Sequence, residues 1–191
     1  MHIGPLLEAA LEVQAYLEEH QAHFCFIGGV AVQRWGEPRF TKDADLSLLT
    51  SFVEDEKWTD LLLGKFEARY PGAREFALQR RVLLVRSSNG TDLDISLGGL
   101  PFERNCIGRA SRWVFADGRQ LLTCSAEDLV VHKAFANRPL DWVDIEGVIV
   151  RQGANLKASQ IIKELKPLAE LKEQPELVDR LQELLRRRSE A

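Results

Sequence analysis

The chain has 191 residues, 45% of them hydrophobic and 28% charged, with 25 basic residues against 29 acidic ones. That length supports one good core, or a main domain with a helical annex, and the composition is that of an ordered globular chain rather than a disordered one. A net charge of -4 supplies no overall basic field for nucleic acid. Cys25, Cys106 and Cys124 form no C-x-x-C pair, which points to buried reduced thiols and a cytoplasmic setting. No stretch is long and apolar enough for a membrane span, and no basic segment leads into an apolar run, so neither a membrane partner nor a signal peptide is expected.

Pro5 to His20 has the period of an amphipathic helix, with Leu6, Leu7, Ala10, Leu11, Val13 and Leu17 on one side and Glu8, Glu12, Glu18 and Glu19 on the other. His20 and His23 stand at its junction with a strand and read as a solvated pair. His23 to Ile27 is that short buried strand, stopped by Gly28-Gly29; Val30 to Trp35 has the length of a brief helix, closed by Gly36 and Pro38. A strand, a glycine pair and a helix start place backbone N–H groups where an anion can approach. A tight turn with close packing needs the same glycines.

Asp43 to Leu49 alternates as a strand, with Asp43, Asp45 and Ser47 on one face and Ala44, Leu46 and Leu48 on the other. Two carboxylates on one strand face suit a hard divalent cation such as magnesium. Ser51-x-x-Glu54 has the form of a capping box and opens a helix predicted to run to about Tyr70, its core side carrying Trp58, Leu61, Leu62 and Phe66. Arg80 to Ser87 is the next strand, and Asn89-Gly90 turns the chain into Thr91 to Leu97. There Asp92 and Asp94 share a face. Asp94, between Leu93 and Ile95, is the better partner for Asp43 and Asp45, since Asp92 lies nearer the turn.

Gly98 to Pro101 is a loop, followed by a short helix around Phe102 to Ala110 and a strand–turn–strand around Asp117-Gly118. From Ser125, a plausible N-cap with Asp128 three residues on, the pattern turns helical: to about Asn137, then Leu140 to Val150, Ala158 to Leu171 and Pro175 to Arg188. The expected organisation is an α/β domain over 1–124 and a helical region over 125–191. Trp35, Trp58, Trp113 and Trp142 read as packing. The Arg186-Arg187-Arg188 run reads as a solvated helix end, where positive charge is favourable.

Gly28-Gly29, Asp43-Ala44-Asp45 and Leu93-Asp94-Ile95, in this order, resemble the nucleotidyltransferase superfamily. The run from Gly28 to Leu48 is similar to AbiEii-type nucleotidyltransferases associated with bacterial toxin–antitoxin systems. Lys133, Arg138 and Asp141 or Asp144 resemble that group's downstream functional lysine and aspartate. The resemblance covers residues 24–97 most specifically and 125–150 less so. Many superfamily members carry Gly-Ser where Gly28-Gly29 stands here, so phosphate contacts would fall to backbone N–H groups and basic side chains.

The resemblance implies a mixed sheet with flanking helices, and transfer of a nucleotidyl group from a nucleoside triphosphate to an acceptor hydroxyl. Asp43, Asp45 and Asp94 would bind two Mg2+ ions and carry catalysis; Gly28, Gly29 and Lys133 would bind the nucleotide. Arg39, read from the sequence itself, is a further candidate for nucleotide phosphate, with a solvated loop arginine as the alternative. The acceptor implied is tRNA, a protein or a small molecule, and the toxin-type relatives add an antitoxin partner. A small-molecule transferase of the aminoglycoside type and a non-catalytic nucleotide-binding protein are the alternatives.

Overall fold

Among residues 4–189, which the computed structural model describes, seven strands form one mixed sheet. They are β1 (Phe24–Phe26), β2 (Asp43–Leu49), β3 (Glu67–Ala68), β4 (Val82–Arg86), β5 (Asp92–Gly98), β6 (Ser111–Val114) and β7 (Gln120–Thr123), in the order β3-β4-β5-β2-β1-β7-β6. β2 runs parallel to β5 and β1 parallel to β7; the other pairings are antiparallel. The helices are α1 (Pro5–Glu19), α2 (Gly28–Trp35), α3 (Asp55–Leu63), α4 (Ala73–Arg80), α5 (Pro101–Gly108), α6 (Ala126–Ala136), α7 (Pro139–Gln152), α8 (Ala158–Leu171) and α9 (Glu176–Ser189).

The chain forms two compact units: one holds the chain up to Val30 with Phe40–Cys124, the other Ala31–Arg39 and the chain from Ser125 onward. In the first, strand alternation sorts the sheet into two faces. Ala44, Leu46 and Leu48 of β2 and Leu93, Ile95 and Leu97 of β5 bury against Ala9, Ala10, Val13 and Leu17 of α1, with Trp58 and Leu62 of α3 and Ala77 of α4 in the same core. The opposite face carries Asp43, Asp45, Asp92 and Asp94, all partly exposed. Buried Cys106 of α5 lies with its sulfur 3.8 Å from that of Cys25, and all three cysteines are buried thiols.

The helix expected from Ser51 to Tyr70 is shorter and is followed by elements the sequence did not signal. Glu54 does accept from the Ser51 hydroxyl at 2.6 Å and from its N–H at 3.3 Å, but this closes a turn ahead of a helix that starts at Asp55 and ends at Leu63. The chain then forms edge strand β3, and Gly72, with φ of 84°, leads into α4. α4 shows little amphipathic periodicity in AREFALQR, burying only Ala73 and Ala77, which is why the hydrophobic pattern passed it over. α2 also starts two residues earlier than expected, at the glycine pair itself.

In the second unit α6 to α9 pack on one another through Leu129, Val130, Ile145, Val148, Ile161, Leu165, Leu181 and other buried side chains. Ser125 caps α6, its hydroxyl accepting from the Asp128 N–H at 3.1 Å. The segment 31–39 docks on α7: Arg151 donates to the Gly36 carbonyl at 2.6 Å and Gln152 to that of Trp35 at 2.7 Å.

Candidate active site

Parallel register places the acids. Asp43 pairs with Asp92 and Asp45 with Asp94, so four carboxylates from two neighbouring strands stand on one face. One oxygen from each of Asp43, Asp45 and Asp94 lies within 4.8 Å of the others. That separation brings like charges into direct repulsion unless a cation joins them. An all-oxygen donor set of this kind suits a hard divalent ion, and nothing in it favours a softer metal.

The glycine pair packs directly against this set. Gly28 has φ of 54°, which a side chain would strain, and a Cβ there would fall inside Asp45 Oδ2. A Cβ on Gly29 would come 2.8 Å from Thr41 Cβ. The Gly29 N–H, at the first turn of α2, points at Asp45 Oδ2 at 3.4 Å, and the Thr41 hydroxyl donates to Asp43 Oδ1 at 3.1 Å. The glycines thus allow the helix start to approach the carboxylates closely. Thr41 is a contributor the sequence reading passed over, although its position two residues before Asp43 was a usable signal.

Arg69 is the other. It follows the two-residue strand β3, its N–H donates to the Leu84 carbonyl at 3.2 Å, and its guanidinium bonds to Asp94 Oδ1 and lies 3.5 Å from Asp92 Oδ2. Arg86 donates to Asp92 at 3.1 Å. Burial pushes the Asp94 carboxyl above the ordinary 3.8; Arg69 opposes this and the nearby Asp43 charge adds to it.

Arg39 and Lys133 belong to the second unit, where they meet at Asp144. Arg39 donates to both Asp144 oxygens, at 2.7 and 2.9 Å, and Lys133 Nζ lies 2.8 Å from Asp144 and 3.0 Å from Asp141. Arg138 adds a 3.0 Å bond to Asp141. The Lys133 side chain is only 8% exposed. Burial would raise the Asp144 carboxyl, but bonds from Arg39 and Lys133 outweigh it and hold the group below 3.8. Trp142 is buried, donates to Asn137 at 2.8 Å and carries the Arg180 guanidinium 3.8 Å above its ring. Arg186 and Arg187 pair with Glu183; the side chain of Arg188 lies outside the described residues. His20 and His23 are exposed.

No protein-family model and no curated protein matches the chain. Solved structures do. An antigenic nucleotidyltransferase-like protein from Paracoccidioides brasiliensis is similar over 92% of this chain and 91% of its own, at 17% identity and a TM-score of 0.51. ANT(2'')-Ia, solved in complex with adenylyl-2''-tobramycin, is similar over 87% of this chain and 97% of its own, at 14% identity and a TM-score of 0.50. The lincosamide antibiotic adenylyltransferase LnuA, lincomycin-bound, matches 74% of this chain and 94% of its own at 16% identity and a TM-score of 0.47. At these identities the likeness concerns the fold, which is nucleotidyltransferase-like α/β. Among the described residues no helix is long and apolar enough to cross a membrane.

Proposed function

We propose that this protein transfers a nucleotidyl group from a nucleoside triphosphate to an acceptor hydroxyl. The observation that carries the reading is the meeting of Asp43, Asp45 and Asp94 within 4.8 Å, partly exposed, on one face of a nucleotidyltransferase-like sheet. In the reaction the acceptor oxygen attacks the α-phosphorus, the bond to the β-phosphate oxygen breaks, and pyrophosphate leaves. Asp43, Asp45 and Asp94 would hold the Mg2+ ions, which when bound neutralise charge on the triphosphate and the departing pyrophosphate. Asp94 would also accept the proton of the attacking hydroxyl; a carboxylate raised above its ordinary pKa is a stronger base for that transfer.

Gly28 and Gly29, which let the start of α2 close on Asp45 and Thr41, would bring its backbone N–H groups near a triphosphate held at the acids. Arg39 and Lys133 enter the proposal with a condition. Each already holds Asp144, so a phosphate group would have to compete with that carboxylate for them.

The acceptor divides two readings. The AbiEii-like stretch from Gly28 to Leu48 favours a toxin acting on tRNA or protein in the cytoplasm, with an antitoxin partner. The likeness to ANT(2'')-Ia, whose complex contains an adenylylated tobramycin, favours a small-molecule acceptor. Incubating the purified protein with Mg2+, each labelled nucleoside triphosphate, and in turn total RNA, total protein and an aminoglycoside panel separates them. Label in RNA or protein, with growth arrest on expression, supports the toxin reading; label in a drug without arrest supports the second. Label in no acceptor, with no nucleotide binding, overturns both and leaves a different function for the acid cluster.

A further inference from the structure

Two rows of paired residues cross the aspartate-bearing face of the sheet. One runs Asp45, Asp94, Leu84, and the Arg69 N–H bonds to the Leu84 carbonyl at its end; the other runs Asp43, Asp92, Arg86, Glu67. Residues paired across neighbouring strands share a face, so the Arg69 side chain reaches over Leu84 to Asp94. The result is a guanidinium on the oxygen set that the transfer reaction needs. Its fork touches Asp94 and Asp92 together, an arrangement a planar five-donor group can make and a single ammonium cannot. The Arg69 side chain is 26% exposed and Asp94 30%, so solvent screens the pair only in part.

We propose that Arg69 is a positioning residue for the carboxylate set, holding Asp94 in register while competing with a divalent cation for its oxygens. The inference rests on the metal-dependent reading above and assigns it a regulator of metal affinity. Arg69 ties down the orientation of Asp94, which the proton acceptor and metal ligand needs. It also brings a positive charge next to the place where a divalent cation would sit, which weakens that cation's binding. Losing Arg69 therefore has effects of opposite sign on binding and on turnover. A merely structural loss lowers both.

The test is calorimetric titration of the full chain with Mn2+ alone, without nucleotide, for the wild type, Arg69→Gln and Arg69→Lys, with circular dichroism to check folding and transfer kinetics alongside. Arg69→Gln is expected to bind Mn2+ about tenfold more tightly, the factor that about 1.4 kcal/mol of relieved repulsion gives. It is also expected to lose kcat with little change in KM for the nucleotide. Arg69→Lys, keeping the charge but not the fork, should hold wild-type Mn2+ affinity within about threefold yet still lose kcat. It supplies the readout if Arg69→Gln does not fold. Mn2+ affinity in Arg69→Gln that is unchanged or weaker, in a folded protein, overturns the role of Arg69 and leaves the transferase reading standing. No Mn2+ binding by any of the three proteins overturns the metal reading and the Arg69 proposal with it.

Discussion

In the sheet unit, Asp43, Asp45 and Asp94 bring oxygens within 4.8 Å of one another on a partly exposed face, whereas in the helical unit Asp141 and Asp144 are buried behind Lys133, Arg39 and Arg138. In the first cluster the Arg69 guanidinium reaches Asp94 and Asp92; in the second, three cations meet two buried acids. Asp94 is held above its ordinary pKa, chiefly by burial, and Asp144 below it, because its two hydrogen-bonded cations overcome burial. Clusters that stabilise a fold satisfy their own charge, since an uncompensated buried charge is costly. Acids gathered on a partly exposed face, one of them held above its ordinary pKa, suit something that arrives later.

The sharpest way to break that contrast is Asp45→Asn. If the sheet cluster serves chemistry, transfer of label should fall at least about 1,000-fold, about 4 kcal/mol of barrier. Because the change also relieves repulsion from Asp43 and Asp94, urea unfolding of the metal-free protein should show stability unchanged or higher. A folded variant that transfers label at the wild-type rate would sink the assignment.

Lys133→Met is the counterpart in the helical unit. The methionine keeps much of the apolar stem but leaves Asp141 and Asp144 with only the two arginines. Removing one partner of a buried ion pair costs about 3 kcal/mol, which urea unfolding would register as a lower midpoint. If Lys133 also reaches the triphosphate, nucleotide affinity falls in the folded variant as well. Loss of stability with intact nucleotide affinity would confine the residue to the ion-pair cluster.

The two clusters differ in how legible they were. The carboxylates of β2 and β5 could be read because strand alternation fixes which face each residue takes, and the Asn89-Gly90 turn, with Gly90 at φ of 82°, fixed where β5 begins. Parallel register between β2 and β5 is a tertiary fact that strand alternation alone does not state. Arg69 was out of reach: it follows a two-residue strand inside what the capping pattern at Ser51 extended as helix, and its partner is 25 residues away. The pairing of Arg39 with Asp144 was hidden for the same reason, 105 residues separating them. The docking of segment 31–39 on α7 adds to that pair two bonds to the backbone carbonyls of Trp35 and Gly36, which leave no side-chain signature.

Acid should pull the two clusters in opposite directions. The folded-state pKa of Asp144 lies below 3.8, so the stability it contributes is present above the unfolded value and is lost as pH falls toward the folded one. Asp94, held above 3.8, binds its proton more tightly in the folded chain, so its contribution declines as pH rises through that folded value. In the metal-free protein, thermal midpoints measured between about pH 3 and 7 should therefore show Asp144→Asn flattening the acid-side loss and Asp94→Asn removing the opposing slope. Parallel profiles for the two variants would mean that the clusters are not in the contrasting states described.

The smallest change tests whether burial or mere pairing makes the second cluster stabilising. Lys133 and Arg138 both hold Asp141 at 3.0 Å, yet the Lys133 side chain is 8% exposed and that of Arg138 is 76% exposed. An exposed pair gains little because water screens the attraction and the long side chain gives up rotamer freedom to make it. Asp141 also keeps the Arg138 backbone N–H at 3.1 Å, which truncating the side chain does not remove. Arg138→Ala should thus cost less than about 1 kcal/mol in urea unfolding, against about 3 for Lys133→Met, which takes its bond to Asp144 away as well. Equal losses would mean that Asp141 depends on the number of its partners, and the closed character of this cluster would have to be assigned to charge count rather than to its burial.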